Sequence, residues 1–343
     1  MATIIDVAKQ AGVSIKTVSR VMNNQANVRD STRRRVRDAM ASLNYSPSDA
    51  ARQMRLGKST AIGMLYSDPG SSYQSRLNQS MIQACSDAGR YLVVGLFNED
   101  DDDWVGQLQA FLARTKVDSM VLVPPMCDSE NLKACLNDAS VKYVLLSPSS
   151  PTPGVSAVTM DDRKAAREMT EHLLDYGHER IAHIAGHTDH VASFLRRQGF
   201  EDAFTERGMP RPDSSKIPSG NFDFRCALSA AEKLLTSPNP PTAIFAASDD
   251  MAAAVYMAAG KLGLSIPEDI SITGFDDVPI AQTIWPALTT VAQPLDNMAK
   301  DAVRVLSNSL APKTKGANSD FFVAPHNIII RESCGVPPAN RIG

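Results

Sequence analysis

The chain is poor in cysteine, poor in aromatic residues and without a long apolar run, and each shortage removes a class of protein. Five cysteines are scattered along 343 residues, at positions 85, 127, 135, 226 and 334, and no two make a Cys-x-x-Cys pair. A disulfide framework or a thiolate metal site needs paired spacing, so free thiols in a reducing cytoplasm are expected. No stretch approaches the roughly 18 apolar residues of a membrane-spanning helix. The opening residues, MATIIDVAKQAGVS, carry Asp6 and no apolar segment, so they do not read as a signal peptide. At 43% hydrophobic residues the chain is not wholly disordered. Its length suggests two or three domains, at about 150 residues each.

What is present is uneven. Lys and Arg number 35 against 38 Asp and Glu, a formal charge of −3. Residues 1–60 hold 11 basic side chains and four acidic ones, or +7, which leaves 24 against 34, or −10, for residues 61–343. A basic head on an acidic body predicts that only the head meets a polyanion.

Residues 1–45 read as three short helices. Thr3 and Asp6 fit a capping box, Ile5, Ala8 and Ala11 give an apolar face, and Gly12 ends the first helix. Ser14 can cap a second helix over Ile15–Met22, with Val18 and Val21 inward. A third runs from about Asp30 to Leu43 through Val36 and Met40. Two helices joined by a tight Ala-Gly-Val-Ser turn make a helix-turn-helix pattern. The following segment, SPSDAARQMRLGK, has little apolar content and reads as a linker that folds only when supported.

From residue 60, β-type apolar runs alternate with amphipathic helices in two series, the pattern of two α/β lobes built on parallel sheets. A late helix (about 294–310), a small-polar loop (Lys313–Ser319) and one strand over Phe321–Arg331 complete the reading. The acidic run Glu99–Asp103 lacks the glycine and spacing of a calcium loop and reads as a solvated helix start.

The stretch Asp6-Val7-Ala8-Lys9-Gln10-Ala11-Gly12-Val13-Ser14, followed by Ile15-Lys16-Thr17-Val18-Ser19-Arg20-Val21-Met22-Asn23, closely resembles the helix-turn-helix of the lac-repressor-type (LacI/GalR) family of bacterial transcription regulators. The resemblance implies that Ile15 and Lys16 occupy the first exposed positions of the recognition helix, with Arg20 one turn on. Lys16 and Arg20 can donate to guanine O6 and N7, and Ile15 can pack on a thymine methyl. Ser14, Thr17, Ser19 and Asn23 suit phosphate contacts and capping. Tyr45 to Arg55 is similar to the family's hinge, which implies a wedge at Met54, in the place of the usual leucine, and phosphate contacts at Arg52 and Arg55. Ser48 departs from the usual Asn, and Arg29 stands where a Ser normally caps the third helix, which shifts its expected start to Asp30.

The body carries further matches, among them Glu171-His172-Leu173 with Gly177-His178, Arg196 to Phe200, Ser248 to Ala252, Asp269 to Asp277 and Pro286 to Pro294. They imply a periplasmic-binding-protein-like pair of lobes with an effector in the cleft. Expected boundaries are 1–46 for the DNA-binding domain, 47–59 for the hinge and 60–343 for the core. The first lobe then covers about 60–160 and 292–320, and the second about 161–291 and 321–343. The implied cleft residues are Asp161, Arg196, Asp249 and Asp276 as polar groups, Tyr73 and Phe222 as aromatic walls, and His190 at the edge, with Trp285 a weaker candidate. Carboxylates, a guanidinium and rings together suit a sugar-like ligand. Asp161 and Asp249 each begin a helix, so capping is the alternative for both. Ser248, where the family often has Asn, points to a ligand different from the best-known sugars.

Other signals are weak. His178-Glu179 with His183 is one residue too long for a zinc-binding His-Glu-x-x-His. No Gly-x-Ser-x-Gly, Walker loop or Gly-x-Gly-x-x-Gly occurs, and nothing assembles nucleophile, base and oxyanion hole, so no enzyme, cofactor or metal is expected. The reading is a cytoplasmic, homodimeric, sequence-specific repressor, on the nucleoid when bound, whose operator affinity a sugar-like effector controls. The alternative is a solute-binding protein of the same core fold. The end, GVPPANRIG, has no leucine heptads, so a dimer is expected rather than a tail-mediated tetramer.

Overall fold

A computed structural model describes residues 2–22, 25, 27–45, 59–66, 70–98, 101–308 and 320–338. The hinge expected over 47–59 therefore lies outside the described residues except for Ser59, as do the whole loop at 313–319 and part of the acidic run at 99–103. Contacts divide the chain into two compact units, Met1–Thr60 and Ala61–Gly343.

Among its described residues the first unit has three helices, α1 (Ile4–Ala11), α2 (Ile15–Met22) and α3 (Asp30–Ser42). Thr3 and Asp6 form the expected capping box: the Thr3 amide donates to the Asp6 carboxylate at 2.8 Å, and Thr3 Oγ1 accepts from the Asp6 amide at 3.4 Å. That hydrogen bonding from Thr3 holds the exposed Asp6 carboxyl below its ordinary pKa. Gly12 closes α1 at φ 59°, a left-handed conformation that a Cβ would strain. The apolar face of α1 differs from the expected one. Val7, Ala8 and Ala11 are buried with Ile4 packed beside them, while Ile5 is 61% exposed. Positions 4, 7, 8 and 11 make one stripe at 3.6 residues per turn, and Ile5 stands one residue off it. Val18, Val21, Val36 and Ala39 complete this small aliphatic core. Arg29 precedes α3 without a side-chain cap, and the helix starts at Asp30 as expected.

The second unit holds two sheets. The first has the order β10-β5-β4-β3-β1-β2, with β1 Ala61–Tyr66, β2 Tyr91–Leu96, β3 Ser119–Leu122, β4 Lys142–Leu146, β5 Ala157–Met160 and β10 Phe321–Ala324, all parallel. The second has the order β11-β9-β8-β7-β6, with β6 Ile181–Ile184, β7 Ala243–Ala246, β8 Ser271–Asp276, β9 Thr289–Ala292 and β11 Asn327–Ile329. In it β6 to β9 are parallel, and β11 runs antiparallel to β9.

Helices cover both faces, as a parallel sheet requires. They are α4 (Ser72–Asp87), α5 (Trp104–Thr115), α6 (Glu130–Asp138), α7 (Asp162–Asp175), α8 (Val191–Glu206), α9 (Phe224–Leu235), α10 (Asp249–Lys261), a short α11 (Ile280–Thr283) and α12 (Leu295–Asn308). Strand alternation sorts the core. Ile62, Met64 and Tyr66 pack with Leu77 and Met81 of α4 and Met298 of α12. Ala61 and Leu65 pack on the opposite face with Leu108 and Phe111 of α5. In the second sheet, Ala182 and Ile184 meet α9 and α10, while Ile181, Phe245 and Phe275 meet α7 and α8.

Two local expectations change. The single strand over Phe321–Arg331 is two strands in different sheets, β10 and β11, separated by Pro325 and His326. Proline has no amide hydrogen for the ladder, and the chain crosses between sheets there. Phe321–Ala324 consequently lie with the first sheet, not with the second lobe as the expected boundary had it. Helix α6, opened by Ser129 accepting from the Leu132 amide at 3.0 Å, was not anticipated, and neither was β9 as a separate strand.

Candidate DNA-binding helix and effector cleft

In the head, α2 splits into two faces. Val18 and Val21 are buried, whereas Ile15 is 47% exposed, Lys16 is exposed, and Ser19 and Arg20 are half-exposed. Positions 15 and 16 lie three to five residues before 19 and 20, so the two pairs form one outward patch. Ser14 Oγ accepts from the Thr17 amide at 3.1 Å and pairs with Thr17 Oγ1 at 2.9 Å, so both hydroxyls order the start of the helix. Arg33 of α3 donates to the Gln25 carbonyl at 2.9 Å, tying the loop after α2 to the third helix. Asn23, Arg52, Met54 and Arg55 lie outside the described residues.

In the core, a cavity of about 240 Å³ opens between the two sheets. Its walls come from the carboxyl ends of the parallel strands or from the segments that follow them: Tyr66 at the end of β1, Pro124 and Pro125 after β3, Ser147 after β4, Asp162 after β5, His187 and His190 after β6, Ser248 and Asp250 after β7, Asp276 at the end of β8 and Gln293 after β9. That crevice is where open α/β sheets take ligands. Tyr73, Arg196 and Phe222 also line it. Its size, under the roughly 300–1,000 Å³ of pockets for drug-sized molecules, suits a small ligand.

Arg196, 5% exposed, organises the floor. Its Nε donates to Asp162 Oδ1 at 2.9 Å and its Nη1 to the Ala247 carbonyl at 2.6 Å. The guanidinium carbon lies 3.6 Å from the Phe275 ring centroid, and Nη1 is 3.7 Å from Asp276 Oδ1. Gln293 Nε2 donates to that same carboxylate oxygen at 2.6 Å. Burial pushes the Asp276 carboxyl up to about 7 against the opposing pull of Arg196, and Asp162 moves up for the same reason. The Phe222 ring sits over Gly186, where a Cβ would come within 2.1 Å of it, and 5.5 Å from the His190 ring.

Ser147, Asn221, Phe222 and Asp276 all have positive φ, at 48°, 55°, 54° and 118°. Such non-glycine conformations cost about 1–3 kcal/mol each and cluster at ligand clamps. Across the mouth, Ser72 donates to Asp250 through its amide at 3.2 Å and its hydroxyl at 2.7 Å, linking α4 beneath the first sheet to α10 beneath the second.

Residues 3–48 match the family of bacterial regulatory proteins, lacI family, and residues 170–334 match the periplasmic binding protein-like domain. The chain is 31% identical over 332 residues to catabolite control protein A of Priestia megaterium, covering 96% of this chain and 98% of that one. It is 32% identical over 315 residues to the ribose operon repressor of Escherichia coli, covering 92% and 94%.

The chain belongs to the lacI family.

Among solved structures, the lac repressor dimer bound to operator and the anti-inducer ONPF superposes with a TM-score of 0.76 at 27% identity, over 97% of this chain and 98% of that one. The transcriptional regulator CelR in complex with cellobiose gives 0.72 at 29%, over 97% and 100%. This lacI-family protein is thus a DNA-binding regulator of transcription with a two-lobed α/β core, and its matched relatives are regulators, not enzymes. A solute-binding protein without a regulatory role finds no support in these matches.

Of the cleft residues expected in this lacI-family chain, the cavity brings together Tyr73, His190, Arg196, Phe222 and Asp276. Two carboxylates fall elsewhere. Asp161 is exposed and caps α7, accepting from the Lys164 amide at 2.9 Å. Asp249 is fully buried beside the cavity, accepting from Thr290 Oγ1 at 2.6 Å and the Val278 amide at 2.9 Å, where burial and the nearby Asp276 hold its pKa well above the carboxylate range. In both cases the next residue, Asp162 or Asp250, faces the cavity, because one helical step rotates a side chain by about 100°. Gln293 and Asn221 were also missed. Trp285 is 83% exposed and lines no part of the cavity. His183 is buried behind the site, hydrogen-bonded with the Phe245 carbonyl at 2.9 Å, and burial pushes its pKa down to about 3. His178 is engaged separately with Thr242 and Ser271, at 2.9 Å each. Ser248 spends its hydroxyl on the Met251 amide at 3.2 Å, capping α10.

Proposed function

We propose that this chain is a homodimeric repressor whose grip on a near-palindromic operator is set by a small polyhydroxylated effector in the cleft. Lys16 and Arg20 read base edges, Ile15 packs on a thymine methyl, and Ser14, Thr17, Ser19 and Asn23 hold the register. Arg52, Met54 and Arg55 serve the hinge, with Met54 as the minor-groove wedge. In the cleft, Asp276, Arg196 and Asp162 hold hydroxyls, and Phe222 and Tyr73 cover the apolar faces of a sugar ring. Closure of the lobes on the ligand changes the spacing of the two hinge segments and releases the operator. The protein acts in the cytoplasm, where its DNA is.

The observation that carries this reading is the cavity at the strand carboxyl ends, with Arg196 between two carboxylates and Phe222 beside it, in a chain that also carries the helix-turn-helix patch. The test is fluorescence anisotropy on an operator selected from a random pool, titrated with and without a panel of sugars. A sugar that weakens operator binding supports the reading, and an operator affinity indifferent to every sugar contradicts it.

A further inference from the structure

The head and the core treat their exposed arginines differently. In the core such side chains find acids: Arg163 pairs with Asp202 at 2.6 Å, Arg197 with Glu201 at 2.8 Å and Arg304 with Asp301 at 2.7 Å. In the head, Arg34, Arg35 and Arg37 of α3 are exposed, and none of the three has an ion-pair partner among the described residues. Acids stand at the right spacing. Asp30 lies four residues before Arg34 and Asp38 four after it, the separation at which helix side chains meet, yet neither pair forms. Helix stability does not call for these arginines either: bases favour the last turn of a helix, where α3 has none, and here they crowd its first half. Val36, Ala39, Met40 and Leu43 turn one side of α3 to the small core, so Arg34 and Arg37, three residues apart, share the opposite side with Arg35 beside them.

We infer that Arg34, Arg35 and Arg37 form a second DNA surface, separate from the α2 patch, that holds the phosphate backbone flanking the half-site without regard to its sequence. The start of the arginine run lies beside the end of α2: Arg33 donates to the Gln25 carbonyl at 2.9 Å, and the Gln25 amide donates to the Arg20 carbonyl at 3.1 Å. Both helices press their apolar sides into one core, Val18 and Val21 from α2 and Val36 and Ala39 from α3, so their outward sides diverge. A row of guanidinium groups next to the recognition helix, but aimed away from it, meets the wall of the groove and the backbone beyond, not the base edges. Each group forks onto phosphate oxygens and gives up no partner inside the protein to do so. Each contact releases a counterion, which adds affinity at low salt and no sequence preference.

The inference rests on the DNA-binding role of the chain and is independent of any effector. The full chain is compared with the triple variant Arg34→Gln, Arg35→Gln, Arg37→Gln by fluorescence anisotropy over a range of salt. The probes are an operator selected from a random pool, the same operator lengthened by about ten base pairs, one helical turn, at each end, and a scrambled duplex of that greater length. The parent should gain affinity on the lengthened operator, and the variant should lose that gain. The slope of log affinity against log salt should become shallower by about 0.9 for each phosphate contact removed, equally on the lengthened operator and on the scrambled duplex. The triple variant Arg34→Lys, Arg35→Lys, Arg37→Lys keeps the charge and should keep most of the slope, which separates lost charge from a damaged head. An unchanged slope in the glutamine variant overturns the inference, and so does an equal loss in the lysine variant. A loss confined to the operator makes these arginines base readers and overturns it as well. A parent that gains nothing from added length, or that gains only from a second, separate duplex, has no flank contact at α3. A parent that binds none of the duplexes removes the DNA-binding role and the inference together.

Discussion

The head and the cleft place their polar groups in opposite ways. The head exposes Ile15, Lys16, Ser19 and Arg20 on one eight-residue helix, backed by a core of Val and Ala side chains that none of them supports. The cleft gathers residues from Tyr66 to Gln293, buries the central Asp162, Arg196 and Asp276, and makes its polar groups satisfy one another: Arg196 holds Asp162, Gln293 holds Asp276, and Ser72 holds Asp250. Binding and stability are therefore separable in the head and entangled in the cleft. A long-reaching side chain can be removed from α2 with little cost to folding, whereas each cleft group is also part of the core it sits in.

Arg196→Ala is expected to break this contrast most visibly if it is false. Removing the guanidinium leaves Asp162 and Asp276 buried without a cation, so chemical denaturation should show a loss of about 3–5 kcal/mol from the core, together with loss of the effector response. An unchanged denaturation midpoint would detach stability from the cleft. The matching change in the head, Arg20→Ala, should reduce operator affinity by about 1–3 kcal/mol and relax selectivity at one base pair, with stability moved by no more than about 0.5 kcal/mol. A melting curve that fell along with DNA binding would show that the head is entangled too.

Two smaller effects sharpen the comparison. Gly12→Ala puts a Cβ at φ 59° and should destabilise the head by about 1–2 kcal/mol, read as faster amide exchange in α1 and α2 than in the core strands. Asp276 gives a pH signature. Its carboxyl is raised to about 7 in the folded chain from 3.8, so the folded state holds the proton more tightly. The stability from this group is full below about 3.8 and is lost as pH rises through 7. The melting temperature of the parent should fall from pH 6 to pH 8 more steeply than that of Asp276→Asn, and parallel slopes would rule Asp276 out as the titrating group.

The same contrast explains what could be read from the residues alone. The head is local: Val18 and Val21 point inward and Ile15, Lys16 and Arg20 outward within one short helix, so spacing and motif agree. Even there, Ile5 was misassigned, because Ile4-Ile5 before Val7 and Ala8 allows two stripes one residue apart. The alternation of strands and helices was visible from continuous apolar runs such as Ala61–Tyr66. The break at Pro325 was not, because Phe321–Arg331 reads as strand on both sides of it. In the cleft, Tyr73, Arg196, Phe222 and Asp276 were legible through motifs, but Asp161 and Asp249 were each one residue from the side chain that faces the cavity. Which of two adjacent aspartates caps and which points outward depends on helix phase, and a run such as Ser248-Asp249-Asp250 does not disclose it. Gln293 and the Ser72 to Asp250 link depend on pairings far apart in sequence, which spacing cannot reveal.

The most direct test of the account is reciprocal linkage between the two regions. Operator affinity is measured with and without a saturating sugar that binds the cleft, and sugar affinity is measured with and without operator, for the parent and for Arg196→Ala. The account predicts that the sugar weakens operator binding by some factor, that operator weakens sugar binding by the same factor, and that both effects vanish in the variant. A sugar that binds the parent tightly and leaves operator affinity unchanged would contradict it.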